Sequence, residues 1–266
     1  MNKLVVKQAL KQPDAQPCLW ANLLSKKYTD YDVLTQLRYE FITDNYVKLP
    51  GLFSLEAFTD LKAELKRIEP FAIKKNFVME GYETPRVLNV LGGQKILKLS
   101  PMLRSLYSDE NLSHFLQMIV GAEIYPCLHP EEFMVANFLL CAGATHGWHL
   151  DDPSYALVII FEAPCKLEGG LLELIPNWNN FLDSLGADPK LNVDPLVELA
   201  RCSNLVQTKH HASGDAYLLR ADRCLHRVTE LLNDNISRIV LNLAYESTPN
   251  PSYSYTATRL YGDQNS

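Results

Sequence analysis

Past residue 124 the chain breaks into short β-rich apolar runs set off by glycine, proline and aspartate, a texture of strands rather than of helices. These runs occupy 132–140, 155–161, 170–175, 205–208, 216–219 and 239–245. Strands this short and this closely spaced predict a double-sheet jelly roll over 123–247. One stretch interrupts them: 176–203 reads as an inserted loop and helix, with 193–200 at its centre. Ser213-Gly214-Asp215 reads as the turn into a later strand.

The first 122 residues read as helices and strands that flank this core, so the whole of 1–266 is expected to be one mainly β domain with flanking helices. Residues 1–28 carry little pattern and are expected to form a loosely docked arm. The apolar positions of 30–42 fit an amphipathic helix only in part, and 45–51 reads as a short strand closed by Pro50-Gly51. Ser54 is the expected N-cap of a helix carrying Leu61, Leu65 and Ile68 and stopped by Pro70. Residues 83–93 alternate and end in Gly92-Gly93, 103–120 reads as one helix ended by Gly121, and the tail beyond Ser247 reads as irregular.

Composition excludes several function classes. With 47% hydrophobic residues the chain can bury a sizeable core. Its formal charge of −6, with no block of Lys and Arg, offers nothing for nucleic acid to bind. No apolar run approaches the roughly 18 residues of a membrane span, and the polar N-terminus does not resemble a signal peptide, so a cytosolic protein is expected. Six cysteines without a Cys-x-x-Cys read as reduced thiols rather than a zinc site.

Within this frame one motif carries chemistry. In Thr145-His-Gly-Trp-His-Leu-Asp-Asp152, His149 and Asp151 are two apart, and on a strand such residues share a face. An imidazole nitrogen and a carboxylate oxygen can then converge on one metal ion, and His226 offers a third ligand. Two histidines and a carboxylate on three corners leave the opposite face of an octahedron open, the facial triad of non-haem Fe(II) oxygenases. Arg238 follows His226 by twelve positions (238 − 226), where a guanidinium could hold the far carboxylate of a dicarboxylate cosubstrate. Trp148 and Tyr155 flank the pair and read equally as pocket wall or core.

This motif, with Ala156-Leu-Val-Ile-Ile-Phe-Glu-Ala-Pro164, Gly169-Gly-Leu-Leu-Glu173, Leu225-His-Arg-Val-Thr229 and Asn242-Leu-Ala-Tyr245, resembles the carrier-free amino-acid halogenase and hydroxylase family of the Fe(II)/2-oxoglutarate oxygenases. The resemblance covers about 80–247. It implies a double-stranded β-helix (cupin-like jelly roll), Fe(II), 2-oxoglutarate and O2, and a free basic amino acid such as L-lysine or L-ornithine as substrate. It also implies roles: His149, Asp151 and His226 as iron ligands, Arg238 on the C5 carboxylate of 2-oxoglutarate, Arg86, Glu132, His146 and Asp152 on the substrate, and Asn242 close to the iron.

In halogenating members a glycine replaces the motif's carboxylate and frees a coordination position for chloride. The aspartate here implies hydroxylation. Glu132 and Asp152 could each take one substrate ammonium while Arg86, with His146, takes the carboxylate. Alternatively, either acid orients an iron-bound histidine. Two other readings remain open: an oxygenase acting on a neutral amino acid or a peptidyl residue, and a non-catalytic iron or 2-oxoglutarate sensor.

Overall fold

In β7 and β12, the central strands of the computed structural model, period-2 alternation sends two different sets of side chains to two different layers. The structure describes residues 20–79, 81–188 and 193–253. In chain order the described elements are α1 (Tyr31–Asp44), β1 (Tyr46–Leu49), α2 (Leu55–Ile68), β2 (Ile73–Met79), β3 (Thr84–Leu91), α3 (Gly93–Leu99), α4 (Pro101–Tyr107) and α5 (Glu110–Val120). There follow β4 (Tyr125–Pro126), β5 (Met134–Leu139), β6 (Thr145–His149), β7 (Tyr155–Glu162), β8 (Leu172–Ile175), α6 (Trp178–Leu185), α7 (Val193–Cys202), β9 (Gln207–Lys209), β10 (Ala216–Leu219), β11 (Leu225–Val228) and β12 (Arg238–Glu246).

All pairings among the described strands are antiparallel, and the single twelve-stranded sheet, ordered β1-β10-β7-β12-β5-β3-β6-β11-β8-β9 with β2 beside β3 and β4 beside β12, has two four-stranded halves. These are β10-β7-β12-β5 and β6-β11-β8-β9, the jelly roll expected from the strand texture. β3 joins them by pairing with β5 through Asn89–Leu91 and with β6 through Arg86 and Val87. On the first sheet Leu157, Ile159, Phe161, Leu241 and Leu243 face outward into a core shared with α1, α2 and α5. Ala156, Val158, Ile160 and Val240 face inward, between the sheets. A strand buried on both faces reads as a continuous apolar run, as β7 does.

Local signals place the helices. Ser54 Oγ accepts from the Ala57 N–H at the start of α2, and Gly121 ends α5 with φ 75°. The single helix expected over 103–120 is instead α4 and α5. Asp109 breaks it, because its carboxylate accepts the Leu112 N–H (2.9 Å) and starts a new helix. The loose arm expected over 1–28 is also corrected where it is described. Trp20, Leu23 and Tyr28 are buried, and Trp20 Nε1 donates to Asp60 Oδ2 at 2.9 Å; residues 1–19 lie outside the described residues. The 176–203 insert holds two helices, α6 and α7, packed with Trp148, Ile175 and Leu225. No described helix is long and apolar enough to cross a membrane.

Candidate metal centre and cavity

β6 and β11 run antiparallel with His149 directly opposite His226, and the two rings lie 4.2 Å apart. Each ring is oriented by its own strand. His149 Nδ1 lies 2.7 Å from the Gly147 carbonyl and His226 Nδ1 lies 2.9 Å from that of Cys224. An Nδ1–H donated to a carbonyl leaves the lone pair on Nε2, the form that binds a metal.

The carboxylate reaches them in a way the motif did not predict. β6 ends at His149, so Asp151 shares no strand face with it; the Asp151 N–H bonds instead to the Ala221 carbonyl (3.1 Å). From this turn Asp151 Oδ1 lies 3.4 Å from His149 Nε2 and 3.9 Å from His226 Nε2. Ligand atoms of His149, Asp151 and His226 all fall within 4.8 Å of one another, the one such cluster among the described residues.

The electrostatics suit a cation. Burial, and next the charge of His149, push His226 down to about 4, so it stays neutral. Burial raises the Asp151 carboxyl, but the close approach of the His149 and His226 ring nitrogens outweighs it and holds the carboxyl below the usual range. This pair of imidazoles with an ionised carboxylate fits a divalent metal, and it is the donor set of a facial triad.

A cavity of about 40 Å³ opens between the sheets beside this cluster. His146 and Asn242 line it with Asn137, Tyr217 and Arg238. The His146 ring stacks on His149 at 4.1 Å, and burial with the neighbouring charge of His149 keeps it neutral. Arg238 is buried at 3% exposure and held by the Tyr217 hydroxyl, while its Nη2 has no partner. Among the described residues no carboxylate pairs with it. A buried guanidinium of this kind costs several kcal/mol without a counter-ion, so the cavity fits a ligand carboxylate there. The Oδ1 atoms of Asn137 and Asn242 are likewise unpartnered.

The remaining expected substrate residues do not line this cavity. Arg86 is buried on β3 opposite His146 and donates to Thr84 Oγ1 (3.0 Å), Pro85 O (3.1 Å) and Trp148 O (3.4 Å). Glu132 lies just before β5, its Oε2 4.0 Å from His129 Nδ1 and without a hydrogen bond. Burial, then the charges of Asp152, Asp151 and Glu246, push its carboxyl well above the ordinary range. Asp152 is half-buried beside it. Sequence reasoning missed Asn137, Tyr217 and Tyr82, whose hydroxyl accepts the Leu150 N–H (3.2 Å). Asn137 had a signal, as the one polar residue in 133–140; Tyr217 had none.

Comparison with known proteins agrees with this fold. A family model described as Halogenase D matches residues 29–261. The chain is similar in structure to the α-ketoglutarate-dependent epimerase SnoN from nogalamycin biosynthesis (15% identity, 85% of each chain, TM-score 0.63). It is similar also to AviO1 from Streptomyces viridochromogenes Tue57 (19% identity, 83% of this chain and 97% of that one, TM-score 0.58). EctD from S. alaskensis, solved with 2-oxoglutarate and 5-hydroxyectoine, matches at 17% identity over 81% of this chain and 76% of its own, with a TM-score of 0.56. At these identities the likeness is one of fold. No curated protein matches the chain in sequence.

Proposed function

This chain belongs to the Halogenase D family, and from that premise we propose that it is an Fe(II)- and 2-oxoglutarate-dependent hydroxylase of a free basic amino acid, L-lysine or a close homologue. One observation carries the choice of reaction: Asp151 stands within ligand distance of both His149 and His226. Its oxygen takes the position that halogenating relatives keep open for chloride. When bound, Fe(II) with 2-oxoglutarate and O2 supplies the oxidising power to break an unactivated C–H bond, with succinate and CO2 as co-products.

The protein's own share is binding, orientation and exclusion of water. His149, Asp151 and His226 hold the metal through two Nε2 atoms and a carboxylate oxygen. Arg238, steadied by Tyr217, takes the far carboxylate of 2-oxoglutarate. Asn242 faces the cavity near the metal cluster. We assign the substrate carboxylate to Arg86 and His146, and its ammonium groups to Glu132 and Asp152, on the family resemblance. The flanking apolar wall of Ala156, Val158 and Val240 keeps bulk water out. We read 1–266 as one oxygenase domain working in the cytosol, where its thiols stay reduced.

The test is direct. The protein is loaded anaerobically with Fe(II) and 2-oxoglutarate, O2 is admitted, and free amino acids are screened for succinate release and a gain of one oxygen. Hydroxylated lysine or ornithine is the expected product. Turnover confined to a neutral amino acid or a peptide overturns the substrate reading, and cosubstrate binding without any turnover points to a sensor.

A further inference from the structure

β12 carries its cavity-facing residues on one side: Arg238, Val240 and Asn242 line the space between the sheets. The same parity, continued, brings Glu246 to that side, about 13 Å along the strand from Asn242 at ~3.3 Å per residue. On the neighbouring β7 the cavity-facing set is Val158 and Ala156, and two residues earlier Ser154 meets Glu246. Ser154 fills one carboxylate oxygen, donating to Glu246 Oε2 from its N–H (3.3 Å) and hydroxyl (3.1 Å).

Glu246 is 2% exposed, yet its Oε1 has no partner. Oε2 of Glu132 is equally shut off from solvent and equally without a donor. The Ala244 N–H bonds to the Phe133 carbonyl (3.0 Å), which seats the end of β12 against the loop that carries Glu132, and the charges of Asp151 and Glu246 both bear on Glu132. Burial is the main cause that raises both carboxyls. Tyr253 closes the outer side: its hydroxyl accepts the Leu128 N–H (2.7 Å) and bonds toward Glu246, and its ring meets His129 at 5.4 Å. Two dry carboxylate oxygens without donors ask for a cation that brings its own N–H groups. A bare metal does not suit: among the described residues the His149, Asp151 and His226 set is the one with metal-binding geometry.

Resting on the substrate reading above, we infer that Glu246 is a further specificity residue, whose Oε1 joins Glu132 Oε2 in gripping the side-chain ammonium of a dibasic amino acid. The grip sets both the charge and the length of the substrate. An uncharged side chain of the same length leaves the two acids unsatisfied and binds weakly.

The experiment is calorimetry under anaerobic conditions on protein loaded with Fe(II) and 2-oxoglutarate, titrated with L-lysine, L-ornithine and the uncharged analogue L-norleucine. The wild-type protein is expected to prefer a basic amino acid to norleucine by roughly tenfold or more, the scale of a charge-assisted hydrogen bond. Glu246→Gln keeps the shape and the bonds from Ser154. It is expected to lose most of that preference while its norleucine and 2-oxoglutarate affinities hold within about twofold, a split that a merely structural role does not produce. If Glu246→Gln fails to fold, Glu246→Asp, which keeps the charge and shortens the reach, is expected to weaken lysine and recover affinity for a homologue one methylene longer. Wild-type binding of lysine or ornithine with an unchanged preference in the variants overturns the inference and leaves the substrate reading standing. A wild-type protein that binds no basic amino acid overturns both.

Discussion

Arg238→Met separates cosubstrate binding from folding. Among the described residues the guanidinium is buried with an unpartnered Nη2 and is supported by the Tyr217 hydroxyl. Methionine fills much of the same volume without the charge, so the apo variant is expected to be at least as stable as wild type. The loss appears on binding. Removing one partner of a buried charge pair costs about 2–5 kcal/mol, which weakens 2-oxoglutarate by roughly 30- to 4,000-fold. The assay is thermal unfolding with and without 2-oxoglutarate, in the presence of a redox-inert divalent metal. At a concentration 100 times its dissociation constant the ligand stabilises the wild type by about 2.7 kcal/mol. In a chain of this size that corresponds to a rise in Tm of about 5–10 °C. The variant at the same concentration is expected to show about a third of that rise at a 30-fold loss and almost none at the upper end of the range. An equal ligand-induced rise in both proteins would refute the assignment, and a large loss of apo stability in the variant would refute the claim that the guanidinium waits for an anion.

Three further outcomes are expected. Wild type with chloride in excess yields hydroxylated product alone by mass spectrometry, and Asp151→Gly loses hydroxylation with a weaker metal-induced thermal shift; a chlorinated product from wild type would remove Asp151 from the metal. Gly147→Ala places a Cβ 2.7 Å from Thr84 Cβ and 2.8 Å from the Pro85 carbonyl, so β3 must shift; a loss of about 1–3 kcal/mol in urea unfolding is expected, and no loss would show that the two strands are loosely apposed. His211, hydrogen-bonded through Nε2 with the Tyr46 hydroxyl (2.8 Å), is pushed down to about 3, first by burial and next by Arg238. The unfolded chain binds this proton near pH 6.5 and the folded one only near 3, so the group leaves stability unchanged above pH 6.5 and lowers it by about 5 kcal/mol as pH falls to 3. His211→Asn should flatten that part of the stability profile.

The His149 and Asp151 pair of the candidate metal cluster, the glycine-ended helix and the jelly-roll texture were legible because their signals are local: a two-residue spacing, a C-cap, a period of two. Where sequence reasoning fell short, the missing information was tertiary. β2 reads as polar because Lys74 and Asn76 are solvent-facing on a strand that pairs on one side with β3. Tyr217 and Glu246 acquire their places from partners 59 and 92 positions earlier, Tyr217 opposite Val158 on β7 and Glu246 bonded to Ser154 just before that strand. Asp151 was found for a partly wrong reason: the spacing suggested a shared strand face, whereas a turn tied to Ala221 brings it in. Trp20 and Tyr28 looked idle because burial by distant helices leaves no periodic trace.

The bonds from Nδ1 of His149 and His226 to carbonyls two residues back have a consequence for which ion the protein carries. Because each strand's own backbone aims its imidazole, an arriving ion finds the ligands already turned toward it, and its departure need not unfold anything. Such a centre differs from small zinc domains, whose fold is bought with the metal. Preformed nitrogen and oxygen donors follow the usual affinity order among divalent metals, in which cobalt, nickel, copper and zinc outrank ferrous iron. The scaffold therefore offers a ready seat without a strong preference, and whether the enzyme is active or silenced by a rival ion is decided by which metals its surroundings supply.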